Sequence, residues 1–276
     1  MESYVEHPPV AALAEVVRTV WIQRTGDVAY AQRHLPTGGV ELHFPIGGRP
    51  RLLGPLTGPQ VEVIPARTTV VGVRFLPGTP PPLPVALDDL LDQRPGLTDL
   101  WGATADRLAE AMAGARTPER ALALLQRHLL RELHGDARVD PLVREAVRAL
   151  MPWSPVTVDA VAGHLALSVS QLRRRCLRAV GLSPKVLQRT LRFQGFLALA
   201  QAGAAGVAGL AADLGYADQA HLSRECLRLT GLTPRDLLGG EVDRCACGHD
   251  HSASYGPFLK GRRARFVQDP AGARGI

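Results

Sequence analysis

The sequence predicts an α+β chain in two parts: a β-rich N-terminal part closed by helices, then an all-α part built from two helix-turn-helix repeats. Three observations carry this. Turn formers set at short intervals and alternating apolar positions fill the first stretch of the chain, as half-buried strands require. Helical spacing of Leu and Ala takes over after the proline-rich segment from Thr79 to Pro84. The C-terminal half then repeats itself at an offset of 50 residues.

A length of 276 residues suits two domains, each large enough to bury a core, and 46% hydrophobic with 21% charged residues excludes a disordered or fibrous chain. The longest apolar stretch, Gly195 to Ala212, is rich in Gly and Ala and falls short of a membrane span. The N-terminus lacks a basic start followed by an apolar run, so the expectation is a soluble, cytoplasmic protein with no membrane partner. Four cysteines suit reduced thiols better than a disulfide framework, because Cys176 and Cys226 fall inside helical segments.

Taken in order, Val40 to Phe44 alternates and Thr69 to Phe75 is Val-rich, two strand signals in the β-rich part. Leu97 to Ala113 and Pro118 to Leu133 show helical spacing and close that part. The pattern breaks at His134-Gly135-Asp136 and restarts near Asp140, which places a boundary at about residue 137. The expected domains are therefore 1–137, 138–240 and a flexible Cys/His and basic tail over 241–276.

Within 138–240, Gly181-Leu182-Ser183-Pro184-Lys185 recurs as Gly231-Leu232-Thr233-Pro234-Arg235, and Leu172, Arg174, Cys176, Leu177 and Arg178 recur 50 residues later. A short helix precedes each unit, with Val158, Val161, Ala162 and Leu165 in one and Val207, Leu210, Ala211 and Leu214 in the other. Ser168 with Gln171 forms a capping box, while Gly215 suits a left-handed turn and Asp218 caps the helix that follows. Ser183-Pro184 and Thr233-Pro234 are further helix starts. Leu172, Val180, Leu182, Leu222, Leu229 and Leu232 read as core.

Each unit thus places a second helix as a major-groove reader does, and the arginines lie on that helix. Charge is divided accordingly. Residues 1–137 hold 13 Arg against 15 acids, whereas residues 138–240 hold 13 Arg and Lys against 7 acids. A basic domain beside a slightly acidic one points to a polyanion, and the motif selects double-stranded DNA.

Across residues 138–240 the chain resembles the AraC family of bacterial transcriptional activators, through Gly215-Tyr216, Leu222 to Arg224, Gly231 to Pro234, and Arg192 in the connecting helix. It departs from the family pattern at Cys176 and Cys226, where Phe is usual, which implies smaller core anchors. The N-terminal part resembles the β-rich sensing domain of a poorly characterised AraC-type subfamily, through His34 to Gly39, Glu41 to Phe44 and Val71 to Gly78. The resemblance implies a β-rich sensor domain with closing helices followed by a tandem helix-turn-helix DNA-binding domain. It further implies an unidentified small-molecule effector, a homodimer and contact with RNA polymerase as expectations.

Carried over by position, the family's base-reading places fall on Ser170, Arg173 and Arg174 in the first unit and on Gln219, Ala220, Ser223 and Arg224 in the second. Gln219 suits adenine and Ala220 a thymine methyl. Arg174 and Arg224, being equivalent, alternatively hold the DNA backbone or the helix scaffold. Arg173, Arg174, Arg175 and Arg178 form one basic run, for which a solvated charged face is the plain alternative.

Cys245, Cys247, His249 and His251 supply four zinc or copper(I) ligands in seven residues. The one-residue gap between the cysteines is tighter than the usual two, so weak zinc binding or none is expected, with incidental Cys and His in a tail as the alternative. Lys260 to Arg265 is a basic tail segment. Glu41 and His43 share one strand face and His34 lies near, which suits a metal or acid-base site or simply a polar face. No nucleophilic triad, phosphate loop or dinucleotide fingerprint appears, so no enzyme activity and no cofactor are expected.

Overall fold

The structure is a computed structural model and describes residues 2–133, 139–154, 156–203, 207–239, 251 and 253–259. Seven strands come first: β1 (Ser3–His7), β2 (Val17–Arg24), β3 (Tyr30–His34), β4 (Glu41–Pro45), β5 (Arg51–Leu53), β6 (Gln60–Ile64) and β7 (Thr69–Phe75). Five form an antiparallel sheet in the order β1-β2-β7-β4-β5, and β3 pairs with β6 in a separate ribbon.

One face of the sheet is apolar, with Leu42 and Phe44 of β4 and Val71, Val73 and Phe75 of β7 in the core. Helices α1 (Leu97–Trp101), α2 (Ala103–Ala113) and α3 (Pro118–Leu133) cover that face, through Leu97, Leu108, Met112, Leu125 and Leu129. The helix expected over Leu97 to Ala113 is divided at Gly102. The opposite face carries Glu41, His43, Gly72 and Arg74, the alternate residues of the same two strands.

On β2 the alternation slips. Val17 pairs with Phe75 and Thr19 with Arg74, so Arg18 is the extra residue of a β-bulge. Val17, Val20 and Ile22 consequently reach the apolar core while Arg18, Trp21 and Gln23 turn to the other side.

The C-terminal part is helical: α4 (Pro141–Ala149), α5 (Val158–His164), α6 (Val169–Val180), α7 (Pro184–Gln201), α8 (Val207–Asp213), α9 (Gln219–Thr230) and α10 (Pro234–Gly239). Its core runs from Val143 through Leu172, Cys176, Leu191, Phe196, Leu222 and Cys226 to Leu237. The boundary expected near residue 137 falls among residues outside those described.

The tail departs from expectation. Residues 253–259 form a further helix, α11, whose Tyr255 and Phe258 are buried in the core of the helical part. An aromatic pair spaced three apart on a short helix supplies the apolar area that docks this segment, which a reading of composition as flexible tail overlooked.

Candidate functional site

Each candidate reading helix is fixed at both ends. Ser168 caps α6 through Gln171 N at 3.2 Å, and Gln171 returns the bond to Ser168 N at 2.8 Å. Asp218 caps α9 through His221 N at 2.6 Å. Both helices end on a left-handed glycine, Gly181 and Gly231.

These caps aim the first turns outward: Ser170, Arg173 and Arg174 on α6 and Gln219, Ala220 and Arg224 on α9 are exposed. Ser223 is half-buried and donates to the Gln219 carbonyl at 2.9 Å, so its hydroxyl is partly engaged within the helix. The basic run divides by role. Arg175 is taken up by Asp140, the cap of α4, at 2.6 Å, whereas Arg173 lies exposed on the outer face.

Helix α7 is the spine between the readers. Its residues from Phe193 to Leu199 are all buried, as expected of a helix packed on every side. Arg189 pairs with Glu225 of α9 at 2.6 Å, and the Arg192 guanidinium lies 5.4 Å from the Tyr216 ring centre, fixing the second turn. Gln188 donates to the Val156 carbonyl at 2.8 Å ahead of the first unit.

The second site is a cavity of about 50 Å³ on the far face of the sheet, lined by polar and apolar side chains together. β2 supplies Arg18, Trp21 and Gln23; β3 and the segment after it supply Gln32, His34, Leu35 and Thr37. Gln194 and Leu197 of α7 and Ser254 and Tyr255 of α11 close it, so the cavity touches both parts of the chain. Gly72 makes room for its Trp21 wall: a methyl group at residue 72 falls 2.0 Å from the indole Cε2.

Around it lies an ion-pair network. Arg74 donates to Glu41 at 2.7 Å and to Glu6 at 3.0 Å, and also to the Ser254 hydroxyl. Glu6 in turn accepts from Tyr4 at 2.7 Å and from Ser254 N at 2.9 Å, and pairs with His251 at 2.7 Å. Burial raises the pKa of Glu6, but the bond from His251 and the charge of Arg74 outweigh it and hold the carboxyl below its ordinary range. Burial likewise raises Glu41, and Arg74 and His43 together bring it well below. Burial keeps His34 below its usual value despite its bond to Glu62, while that same bond helps lower Glu62 to about 2.

His34, Glu41 and His43, grouped on sequence grounds, do converge, with one ligand atom from each within 4.8 Å of the others. Both Glu41 oxygens already face Arg74, however, at 2.7 and 3.4 Å, and Glu62 beside the trio pairs with Arg94 at 3.2 Å. Guanidinium groups thus neutralise the carboxylates a dication needs. Of the tail ligands, Cys245, Cys247 and His249 lie outside the described residues, as does the basic segment from Lys260 to Arg265. His251 is buried against Glu6.

Arg18, Trp21, Gln194 and Ser254 were not singled out in the sequence. The one available signal was on β2, where apolar residues at 17, 20 and 22 break a strict two-residue alternation at the bulge.

Residues 161–239 match the family described as Helix-turn-helix domain, and residues 5–95 match a domain of unknown function, DUF6597. VirS of Mycobacterium tuberculosis, described as an HTH-type transcriptional regulator, is 36% identical over 104 residues, which are 37% of this chain and 30% of VirS. The match therefore spans less than a third of that relative. Among solved structures, an apo single-residue variant of ToxT from Vibrio cholerae is similar with a TM-score of 0.44 and 12% identity, over 79% of this chain and 96% of that one. A second ToxT structure, from Vibrio cholerae O395, reaches 0.43 and 11% over 86% and 97%. A likeness this loose carries no inference.

The helical part is a helix-turn-helix DNA-binding domain of the class found in transcriptional regulators. It has two capped units closing on Gly-Leu-Ser-Pro and Gly-Leu-Thr-Pro around a shared central helix, the arrangement that the resemblance to the AraC family implies. Among the described residues, no helix is long and apolar enough to cross a membrane.

Proposed function

We propose that the whole chain is a sequence-specific transcription regulator acting in the cytoplasm, which reads two segments of duplex DNA with α6 and α9 and is controlled through its β-rich part. The observation that carries this is the pair of capped helices, 50 residues apart in sequence, with open polar first turns. Helix α7 has 18 residues and spans about 27 Å at about 1.5 Å per residue, the order of distance between successive major grooves.

In this reading Ser170, Arg173 and Arg174 contact one segment and Gln219, Ala220, Ser223 and Arg224 the other. A small-molecule effector or a second copy of the chain changes DNA occupancy or contact with RNA polymerase. No cofactor and no catalytic step is required.

The test begins by recovering the bound site from a pool of random duplexes with the full chain. Footprints of Arg173→Ala and Arg224→Ala should then lose base preference at different places in that site, each lost contact costing about 1 to 3 kcal/mol. Loss over the same base pairs in both variants would leave only one unit as a reader.

A further inference from the structure

The cavity beneath α11 contains a feature that neither the DNA-reading helices nor the ion-pair network uses. Arg18 is 95% buried; its guanidinium hydrogen-bonds only to neutral oxygens and lies 4.9 Å from the Phe258 ring centre and 5.8 Å from that of Tyr255. Its Nε donates to the Ser254 carbonyl at 2.6 Å and its Nη2 to the Gln194 side-chain oxygen at 2.8 Å. Its Nη1 has no partner. The two nearest acids are turned elsewhere, Glu6 and Glu41 both being held by Arg74. Among the described residues, no carboxylate lies within 4 Å of Arg18.

Trp21, three residues on, lines the same cavity, and its indole N–H is also buried with no acceptor. A buried guanidinium hydrogen left unpaired costs more than a neutral donor, and a buried indole donor adds to that cost. An acceptor supplied from outside the chain would relieve both.

We propose that this cavity binds a short-chain monocarboxylate, whose carboxylate accepts from Arg18 Nη1 and Trp21 Nε1 while its carbon chain lies against Leu35, Leu197 and Tyr255. A carboxylate fits because it offers two oxygens to two donors and a charge to a buried guanidinium that no carboxylate of the described residues neutralises. The chain is short because about 50 Å³ holds only three to five water-sized groups. A dianion is disfavoured, since Glu6 and Glu41 stand just beyond Arg74.

The bulge at Arg18 is the local device that makes the site: without the extra residue this side chain and Trp21 would not share a face. The site also spans the joint between the two parts of the chain. Arg18 is on β2, Gln194 on α7, and Gln194 also donates to the Pro36 carbonyl at 2.8 Å in the segment between β3 and β4. On the neighbouring ribbon, Arg33 donates to the Thr230 carbonyl at the end of α9, at 3.1 Å. Occupancy at Arg18 is thus one hydrogen bond from the spine of the DNA-binding domain. This assignment rests on the effector-controlled reading above and names the chemistry of the effector.

Titration calorimetry of the full chain with propionate and with propionamide, in a carboxylate-free buffer, tests it. Propionate should bind saturably with one site per chain, and propionamide, equal in size but uncharged, at least tenfold more weakly. Trp21→Phe, which keeps an aromatic wall and removes the donor, should weaken propionate several-fold. Arg18→Gln should abolish the preference for the acid over the amide, with circular dichroism confirming the fold of each variant. Equal binding of acid and amide, no saturable binding of propionate up to about 100 mM, or an undiminished preference in folded Arg18→Gln would overturn the site. DNA binding by the same preparations is measured separately by mobility shift. Intact DNA binding with no propionate binding would remove the carboxylate site and leave the DNA-reading proposal standing, while the reverse would do the opposite.

Discussion

Ala166 has a backbone φ of +52°, a conformation that an L-residue with a Cβ adopts at a cost. It holds the place that Gly215, at φ +69°, holds in the second unit, and the surrounding bonds match. Leu167 N donates to Ala162 O and Tyr216 N to Ala211 O, each at 2.9 Å. The first turn therefore carries a strain that the second relieves with glycine. Ala166→Gly should stabilise the protein by about 0.5 to 1 kcal/mol, the left-handed relief being partly offset by the greater freedom of the unfolded glycine. Urea unfolding monitored by circular dichroism reads this directly; a lower midpoint would mean that the turn is not strained. At this scale the sequence was legible wherever bonding is local. Ser168, Gln171, Asp218 and Gly215 do what their chemistry announces within four residues of chain. Arg18 was not legible, because its partners Gln194 and Ser254 lie 176 and 236 residues away and meet it only after folding.

Among the elements, α7 explains why the chain contains an apolar stretch rich in Gly and Ala. Gly195 passes so close to its neighbours that a methyl group there falls 2.7 Å from Pro152 Cγ and 3.1 Å from Leu214 Cδ2. Gly195→Ala should cost about 1 to 3 kcal/mol by overpacking, read as a drop in the urea midpoint. An unchanged midpoint would show that the joint between α7, the Pro152 turn and α8 is loose. The extent of the helices was legible because caps and apolar periodicity mark them, as at Pro118–Leu133 and Pro184–Gln201. Strand pairing was not. The order β1-β2-β7-β4-β5 brings β2 beside β7 across some fifty residues, and nothing in either strand alone names its neighbour. The role of α11 was missed for the same reason: two aromatics in a polar tail declare a docked helix only once the surface that receives them is known.

In the whole molecule, the β-rich part bears on both readers at equivalent points. Gly181, which ends α6, lies against Pro55 and Leu87; a methyl group there falls 2.5 Å from Pro55 Cγ. Gly231, which ends α9, lies near Arg33 and Pro59. The stretch from Pro55 to Pro59 thus abuts the C-terminal ends of both reading helices, while Ser170, Arg173, Gln219 and Ala220 at their other ends are exposed. In the proposed mode both units read DNA at once, held at a fixed separation by α7. The most direct measurement inserts five base pairs, about half a helical turn, between the two protected segments of the recovered site and compares affinities at one salt concentration. The insertion turns the segments to opposite faces of the duplex, so binding should weaken far more than with either Arg173→Ala or Arg224→Ala alone. Undiminished affinity for the lengthened site would contradict the tandem reading and leave a single unit to carry recognition.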